Sequence, residues 1–221
     1  MLRYLTRLCS TALAIKNRLP QQFMQQTVNP LMKQHIKRFF DLAAVLTAAV
    51  LLFVPMAMIA VLIKLTSRGP VLYWSKRVGQ HNQLFSMPKF RTMQVETPTV
   101  ATHLLTNPNQ YLTPIGPFLR RSSLDELPQL WSIWVGDMSW VGPRPALFNQ
   151  DDLIKLRTQA GVDLIKPGLT GWAQVNGRDE LPISQKVAFD AEYLKKQSLR
   201  FDIYVIWLTA IQVFRREGIA H

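Results

Sequence analysis

Residues 42–63, LAAVLTAAVLLFVPMAMIAVLI, are 22 consecutive positions without a charged side chain, closed by Asp41 before and Lys64 after. About 20 apolar residues match the hydrocarbon thickness of a bilayer, so the segment reads as membrane-embedded. The other reading is a core helix, but one that is apolar all round must be covered on every side, and a chain of 221 residues has few elements for that. Both flanks are basic. Arg3, Arg7, Lys16, Arg18, Lys33, Lys37 and Arg38 precede the segment with no acidic residue among the first 40, and Lys64, Arg68, Lys76 and Arg77 follow it. Basic residues favour the cytoplasmic side, and one straight span can put only one flank there. Pro55 removes a backbone donor and clashes with the preceding turn. It divides the run into arms of 13 and 9 residues, about 20 and 14 Å at helical rise, each roughly one leaflet deep. The sequence therefore predicts a re-entrant helix over residues 34–68, broken at Val54 and Pro55, with a kinked spanning helix as the alternative.

Outside this segment the chain has two parts. Residues 1–33 form a basic leader with Leu2, Leu5, Leu8, Ala12, Ile15 and Leu19 at spacings of three and four. An interfacial amphipathic helix, a transit peptide and a plain basic tail all fit that composition. A secretory signal does not, because the apolar run begins too late. Residues 69–221 read as a mixed domain, with strands around Val71–Trp74 and Leu84–Met87 and then helical stretches punctuated by Pro and Gly. The 12 uncharged residues Ile203–Phe214 near its end are too short to span and fit an interfacial helix or a core helix equally. The expected fold class is α+β, predominantly helical, in a monotopic membrane protein with a re-entrant helix and a cytoplasmic domain.

Composition excludes several classes. With 48% hydrophobic and 18% charged residues, intrinsic disorder is ruled out for most of the chain. A single cysteine, Cys9, excludes an internal disulfide, and no Cys/His cluster has zinc-site spacing. The net charge of +12 points to an anionic partner: nucleic acid, a phosphorylated small molecule or an acidic membrane surface.

The densest polar cluster lies in FLRRSSLDELPQLWSIW, residues 118–134. Ser123 and Glu126 have the spacing of a capping box. That places Asp125 at the positive end of a helix, where backbone N–H groups can hold an anion, with Arg120 and Arg121 on the approach. An ionised carboxylate beside a phosphate can attack phosphorus and form an acyl phosphate, provided that Mg²⁺ or basic side chains offset the repulsion. Candidate cations are Lys89 and Arg91 in SMPKFRTM, and Arg144 between Pro143 and Pro145. Taken singly, each is equally well a solvated surface charge, and the Ser123–Glu126 pair a simple cap. KPGLTGWAQVNGR, residues 166–178, lacks the spacing of a P-loop or dinucleotide fingerprint, and its Asn176-Gly177 step is a hairpin signal.

Taken in order, KRFFDL, the apolar run with its proline, KFRTM, LRRSSLDELPQLW, GDMSWVGPRP and PGLTGWAQVNGR resemble the bacterial sugar transferases across residues 36–217. These are the monotopic polyprenol-phosphate phosphoglycosyl transferases. The resemblance implies transfer of a sugar-1-phosphate from a UDP-sugar to undecaprenyl phosphate, with release of UMP, at the cytoplasmic face of the bacterial inner membrane. Such a step initiates a lipid-linked surface glycan such as exopolysaccharide, capsule or O-antigen. It further implies that Asp125 is the nucleophile, carrying a covalent phospho-sugar, and a ligand of Mg²⁺. Glu126 would be its acidic partner, with Lys89, Arg120 and Arg144 near the substrate phosphates. Two departures stand out: Val54 occupies a place where members of the family often have a small polar residue, and larger relatives carry a further block of transmembrane helices, so this chain looks like the compact form. A rival reading, a membrane-tethered protein that binds anionic lipid or nucleic acid without catalysis, gives the acidic pair no role. The expected partners are accordingly a UDP-sugar, undecaprenyl phosphate and an anionic phospholipid membrane, and no nucleic acid. The sugar, the glycan and any homo-oligomer are left open.

Overall fold

The computed structural model describes residues 30–97, 108–177 and 181–215. The leader's leucine stripe, Cys9 and Arg178 lie outside these residues. Contacts divide the chain into residues 1–35 and 36–221, and the core and the candidate site belong to the second unit. The class is α+β and mostly helical, as the sequence predicts.

Helix α1, Pro30–Thr66, contains the apolar run, and its portion Gln34–Thr66 is long and apolar enough to cross a membrane. The helix is continuous through Val54 and Pro55, so the break expected there is not an interruption of secondary structure. A proline removes one hydrogen bond from the ladder, and the bonds on either side can carry the helix past it. One stripe of α1 packs on the rest of the unit: Val45, Ala48, Leu52, Met56, Ile59 and Ile63, at spacings of three and four that run through Pro55. The first part of the stripe meets Met87, Leu130, Ile133 and Met138, and the second meets Phe90 and Leu119. The opposite face, with Leu46, Val50, Phe53, Val54, Val61 and Leu65, is exposed and apolar.

Polar contacts fasten both ends of the apolar run to this same unit. At the start, Arg38 donates to the carbonyls of Ile133 (2.5 Å) and Trp134 (2.7 Å), and Asp41 accepts from Ser139 Oγ and the Trp140 amide at 3.1 Å each. At the finish, Arg91 donates to Ser67 Oγ (2.9 Å) and the Pro70 carbonyl (2.6 Å).

The two expected strands form and extend further than the sequence marks. Strands β1, Leu72–Val78, and β2, Leu84–Phe90, pair antiparallel with Tyr73 opposite Lys89. After helix α2 (Gly116–Arg121) and helix α3 (Leu130–Val135), strand β3 (Ser139–Val141) runs parallel to a later strand, and β4 (Ala146–Leu147) joins the free side of β1. Helix α4, Asp151–Gln159, leads on to β5, Gly168–Thr170, the parallel partner of β3. The glycines of VGPRP and PGLTGW serve this pairing: a Cβ on Gly142 would lie 2.4 Å from the Lys166 carbonyl, and one on Gly168 or Gly171 2.1 Å from Gly142 backbone.

Helix α5, Trp172–Val175, follows, and the hairpin expected at Asn176-Gly177 is a helix end instead. Asn176 Nδ2 donates to the Trp172 carbonyl at 2.7 Å and Gly177 takes φ +152°, so the pair stops a short helix where a hairpin needs a returning strand. Helices α6, Ile183–Lys196, and α7, Leu199–Arg215, complete the unit. On α7, Asp202 and Val205 are buried, as the core-helix reading of the Ile203–Phe214 stretch expects, while Ile203, Tyr204 and Trp207 are exposed.

Candidate active site

Between α2 and α3 the chain makes a 3₁₀ turn, Leu124–Gln129, with Pro128 inside it. The capping box expected here does not form. Ser123 adopts a left-handed conformation (φ 56°) and its side chain caps nothing, while the Glu126 carboxylate is drawn away by two cations. Glu126 Oε1 accepts from Lys89 Nζ at 2.7 Å and from Arg144 Nη2 at 3.2 Å. Lys89 is presented by β2, which packs against the turn. Arg144 comes from the Pro143–Pro145 loop. A short 3₁₀ turn has little dipole, so the electrostatics at Asp125 come from side chains rather than from a helix end.

Those charges set the state of the pair. Burial pushes the Glu126 carboxyl up, but the charges and hydrogen bonds of Lys89 and Arg144 outweigh it and hold Glu126 well below the usual carboxylate range. Glu126 is therefore a fixed anion and no proton donor near neutral pH. Arg120, half-buried, donates from Nε to Thr92 Oγ1 at 3.0 Å. Burial lowers its pKa, and the neighbouring negative charge of Asp125 works the other way, which places the guanidinium beside that carboxylate. The structure thus assembles Asp125, Glu126, Lys89, Arg120 and Arg144 along one turn, with three cations against two carboxylates. A group with that balance can receive a further anion.

Two basic residues of the same stretches are elsewhere. Arg91 is buried and fastens the end of α1 to Pro70 and Ser67. Arg121 is exposed and bonds the Pro117 carbonyl of its own helix. Among the described residues no three His, Cys, Asp or Glu side chains gather as a metal cage. Mg²⁺ needs none, since it typically takes one or two carboxylates and fills its octahedron with phosphate oxygens and water. Asp125 and Glu126 are the two carboxylates of the turn that could serve such an ion.

Sequence reasoning missed the residues that join α1 to the later helices. Lys37 donates to Asp202 Oδ2 at 2.5 Å, and Tyr193 Oη lies 2.6 Å from Asp202 Oδ1 and 3.0 Å from the Val141 carbonyl. The available signal was the spacing of Lys37, Arg38 and Asp41, which puts three charges on one side of a helix at the edge of an apolar run. Charges in such a place need partners. Nothing in the sequence points to Tyr193 or Asp202 as those partners, more than 150 positions away.

The same segments align with known proteins. Residues 32–216 match the sequence profile of the bacterial sugar transferases. The chain is 37% identical over 200 residues to an undecaprenyl-phosphate galactose phosphotransferase of Salmonella typhimurium, covering 83% of this chain and 41% of that protein. It is 37% identical over 187 residues to a UDP-glucose:undecaprenyl-phosphate glucose-1-phosphate transferase of Escherichia coli, covering 81% and 40%. With the exopolysaccharide production protein ExoY of Rhizobium meliloti the identity is 37% over 200 residues, covering 82% and 87%. The chain thus spans about two fifths of the first two relatives and most of the third. Since the matched region takes in α1, the acidic turn and the Pro143–Pro145 loop together, the chain belongs to the bacterial sugar transferase family.

Proposed function

We propose that this protein is a phosphoglycosyl transferase that moves a sugar-1-phosphate from a UDP-sugar to undecaprenyl phosphate, releases UMP, and so begins a lipid-linked surface glycan. The observation that carries the reading is the Asp125–Glu126 pair set among Lys89, Arg120 and Arg144, next to a helix whose outer face is apolar. Relatives named for this transfer lend it support.

In the first step an oxygen of the Asp125 carboxylate attacks the phosphorus that carries the sugar. The bond from that phosphorus to the bridging pyrophosphate oxygen breaks, and UMP leaves with its electron pair. In the second step a phosphate oxygen of the lipid attacks the same phosphorus, the acyl–phosphate bond breaks, and the Asp125 carboxylate is regenerated. Lys89, Arg120 and Arg144 offset the repulsion between carboxylate and phosphates, and Glu126 keeps Lys89 and Arg144 in place. Bound at Asp125, Mg²⁺ would add charge compensation on the phosphates.

The placement we infer is a catalytic unit on the cytoplasmic face, with α1 entering the membrane and returning. Its support is the double fastening of the apolar run: Arg38 and Asp41 before it and Ser67 after it all bond to the one unit 36–221. A span would carry one of these ends to the far side of the bilayer. The basic flanks agree.

The test is UMP release by detergent- or nanodisc-held protein given undecaprenyl phosphate, Mg²⁺ and a panel of UDP-hexoses and UDP-N-acetylhexosamines, beside Asp125→Asn. Release with one donor, dependent on lipid and lost in a variant that still binds membrane, is the expected result. Wild-type turnover by Asp125→Asn would reject covalent catalysis at this residue. Tags at the two termini should be labelled from the same side, and labelling from opposite sides would overturn re-entry.

A further inference from the structure

The loop that presents Arg144 is gripped from three directions. The carbonyls of Pro143, Arg144 and Pro145 each accept one hydrogen bond, from the Gly168 amide (2.9 Å), Arg157 Nη1 (2.8 Å) and Arg77 Nη1 (3.2 Å) respectively. The two prolines have fixed φ and no amide to offer, so these carbonyl bonds define the course of the backbone. Directly afterwards Ala146 pairs with Val78, which anchors the exit of the loop.

Arg157 is the unusual member of this grip. Its Nε and Nη2 both donate to Asp190 Oδ2, at 2.9 and 2.7 Å, and its remaining nitrogen faces the Arg144 carbonyl. Asp190, on α6, is 1% exposed and Arg157, on α4, is 11% exposed at its side chain. Burial pushes the Asp190 carboxyl up, with Arg157 opposing. A buried ion pair is a poor device for stability alone, because apolar residues of similar volume often do as well or better. What apolar residues cannot do is donate to the Arg144 carbonyl.

We propose that Arg157, oriented by Asp190, is a positioning residue that fixes the backbone of Arg144 so that its guanidinium meets Glu126 and a substrate phosphate. The proposal rests on the sugar-phosphate transfer reading of the site. Neither Arg157 nor Asp190 touches the acidic pair, so any effect on the reaction passes through Arg144.

The variant Arg157→Met/Asp190→Leu removes both buried charges together and so keeps the fold while deleting the bond to the Arg144 carbonyl. It should melt like the wild type and lose about 10²-fold in kcat/KM, the usual consequence of a misplacement of about 1 Å near reacting atoms. Arg157→Lys, which cannot hold Asp190 and the carbonyl at once, should restore the fold of Arg157→Met but not the rate. In an Arg144→Ala background the double replacement should cost about twofold or less, since its route of action is already gone. Equal losses in both backgrounds, or a wild-type rate in the double variant, would overturn the proposal. A readout that needs no turnover separates this from the transfer reading itself: affinity for inorganic pyrophosphate, measured by calorimetry, should fall about tenfold in Arg144→Ala and comparably in Arg157→Met/Asp190→Leu. Unchanged affinity in the latter would refute positioning even if the wild type transfers sugar phosphate. A comparable fall in a protein that releases UMP from no donor would keep positioning and reject the reaction.

Discussion

Two of the ion-paired clusters among the described residues cannot be told apart by their bond lengths alone. In one, Glu126 meets Lys89 and Arg144 at 2.7 and 3.2 Å; in the other, Asp202 meets Lys37 at 2.5 Å with Tyr193 at 2.6 Å. They differ in enclosure and in charge balance. The Glu126 side chain is 19% exposed and Arg144 36%, whereas Asp202 is 1% exposed. With Arg120 and Asp125 beside it, the first cluster has more cations than anions. The second matches one cation to one anion, and burial together with the Asp202 charge pushes the Tyr193 phenol up, so it stays neutral. A short ion pair thus does not mark a site. An open cluster with surplus positive charge can take a phosphate, while this closed and balanced one joins α1 to α7.

The sharpest way to break this contrast is Asp202→Ala. It leaves Lys37 without its buried partner and should cost about 3–5 kcal/mol in denaturant unfolding, whereas Lys37→Met/Asp202→Leu should recover most of that loss. Folded protein of the double variant should transfer at the wild-type rate, and a large loss of rate would make the latch part of the site. Glu126→Gln should behave in the opposite way, with kcat/KM down about 10²-fold and little change in melting, because these side chains are partly solvated.

The pH dependence separates the clusters less strongly. The folded pKa of Glu126 is depressed, so its contribution to stability is complete above the unfolded value of about 4.3 and is lost only as pH falls below that toward the folded value. Above about pH 5 the rate profile should contain no limb from Glu126. A limb there that vanishes in Glu126→Gln would contradict the Lys89 and Arg144 contacts. The smallest effect belongs to Arg121→Ala, which should change stability by less than about 0.5 kcal/mol and leave transfer unaltered, since that side chain is exposed.

Much of the candidate site was legible beforehand because its members lie in short runs. Asp125, Glu126 and Arg120 fall within seven positions, and the prolines around Arg144 mark a constrained loop in one line of text. The details that failed share a cause. The capping box and the hairpin at Asn176-Gly177 are local signals, and each was overruled by contacts outside its own motif. Lys89 and Arg144 claimed Glu126, and Asn176 bonds back to the Trp172 carbonyl to end α5.

By itself the sequence determined that a 22-residue apolar run flanked by basic residues is long enough to enter a membrane, and that an acidic pair among arginines is the candidate chemical centre. Both are statements about composition within a short stretch, where hydrophobic length and local charge decide. Only the tertiary structure decided which cations reach Glu126, that Arg91 fastens a helix rather than serving the site, and that Arg157 and Asp190 grip the loop of Arg144. These depend on strands and helices far apart in the chain coming within about 3 Å of one another, the range over which hydrogen bonds act.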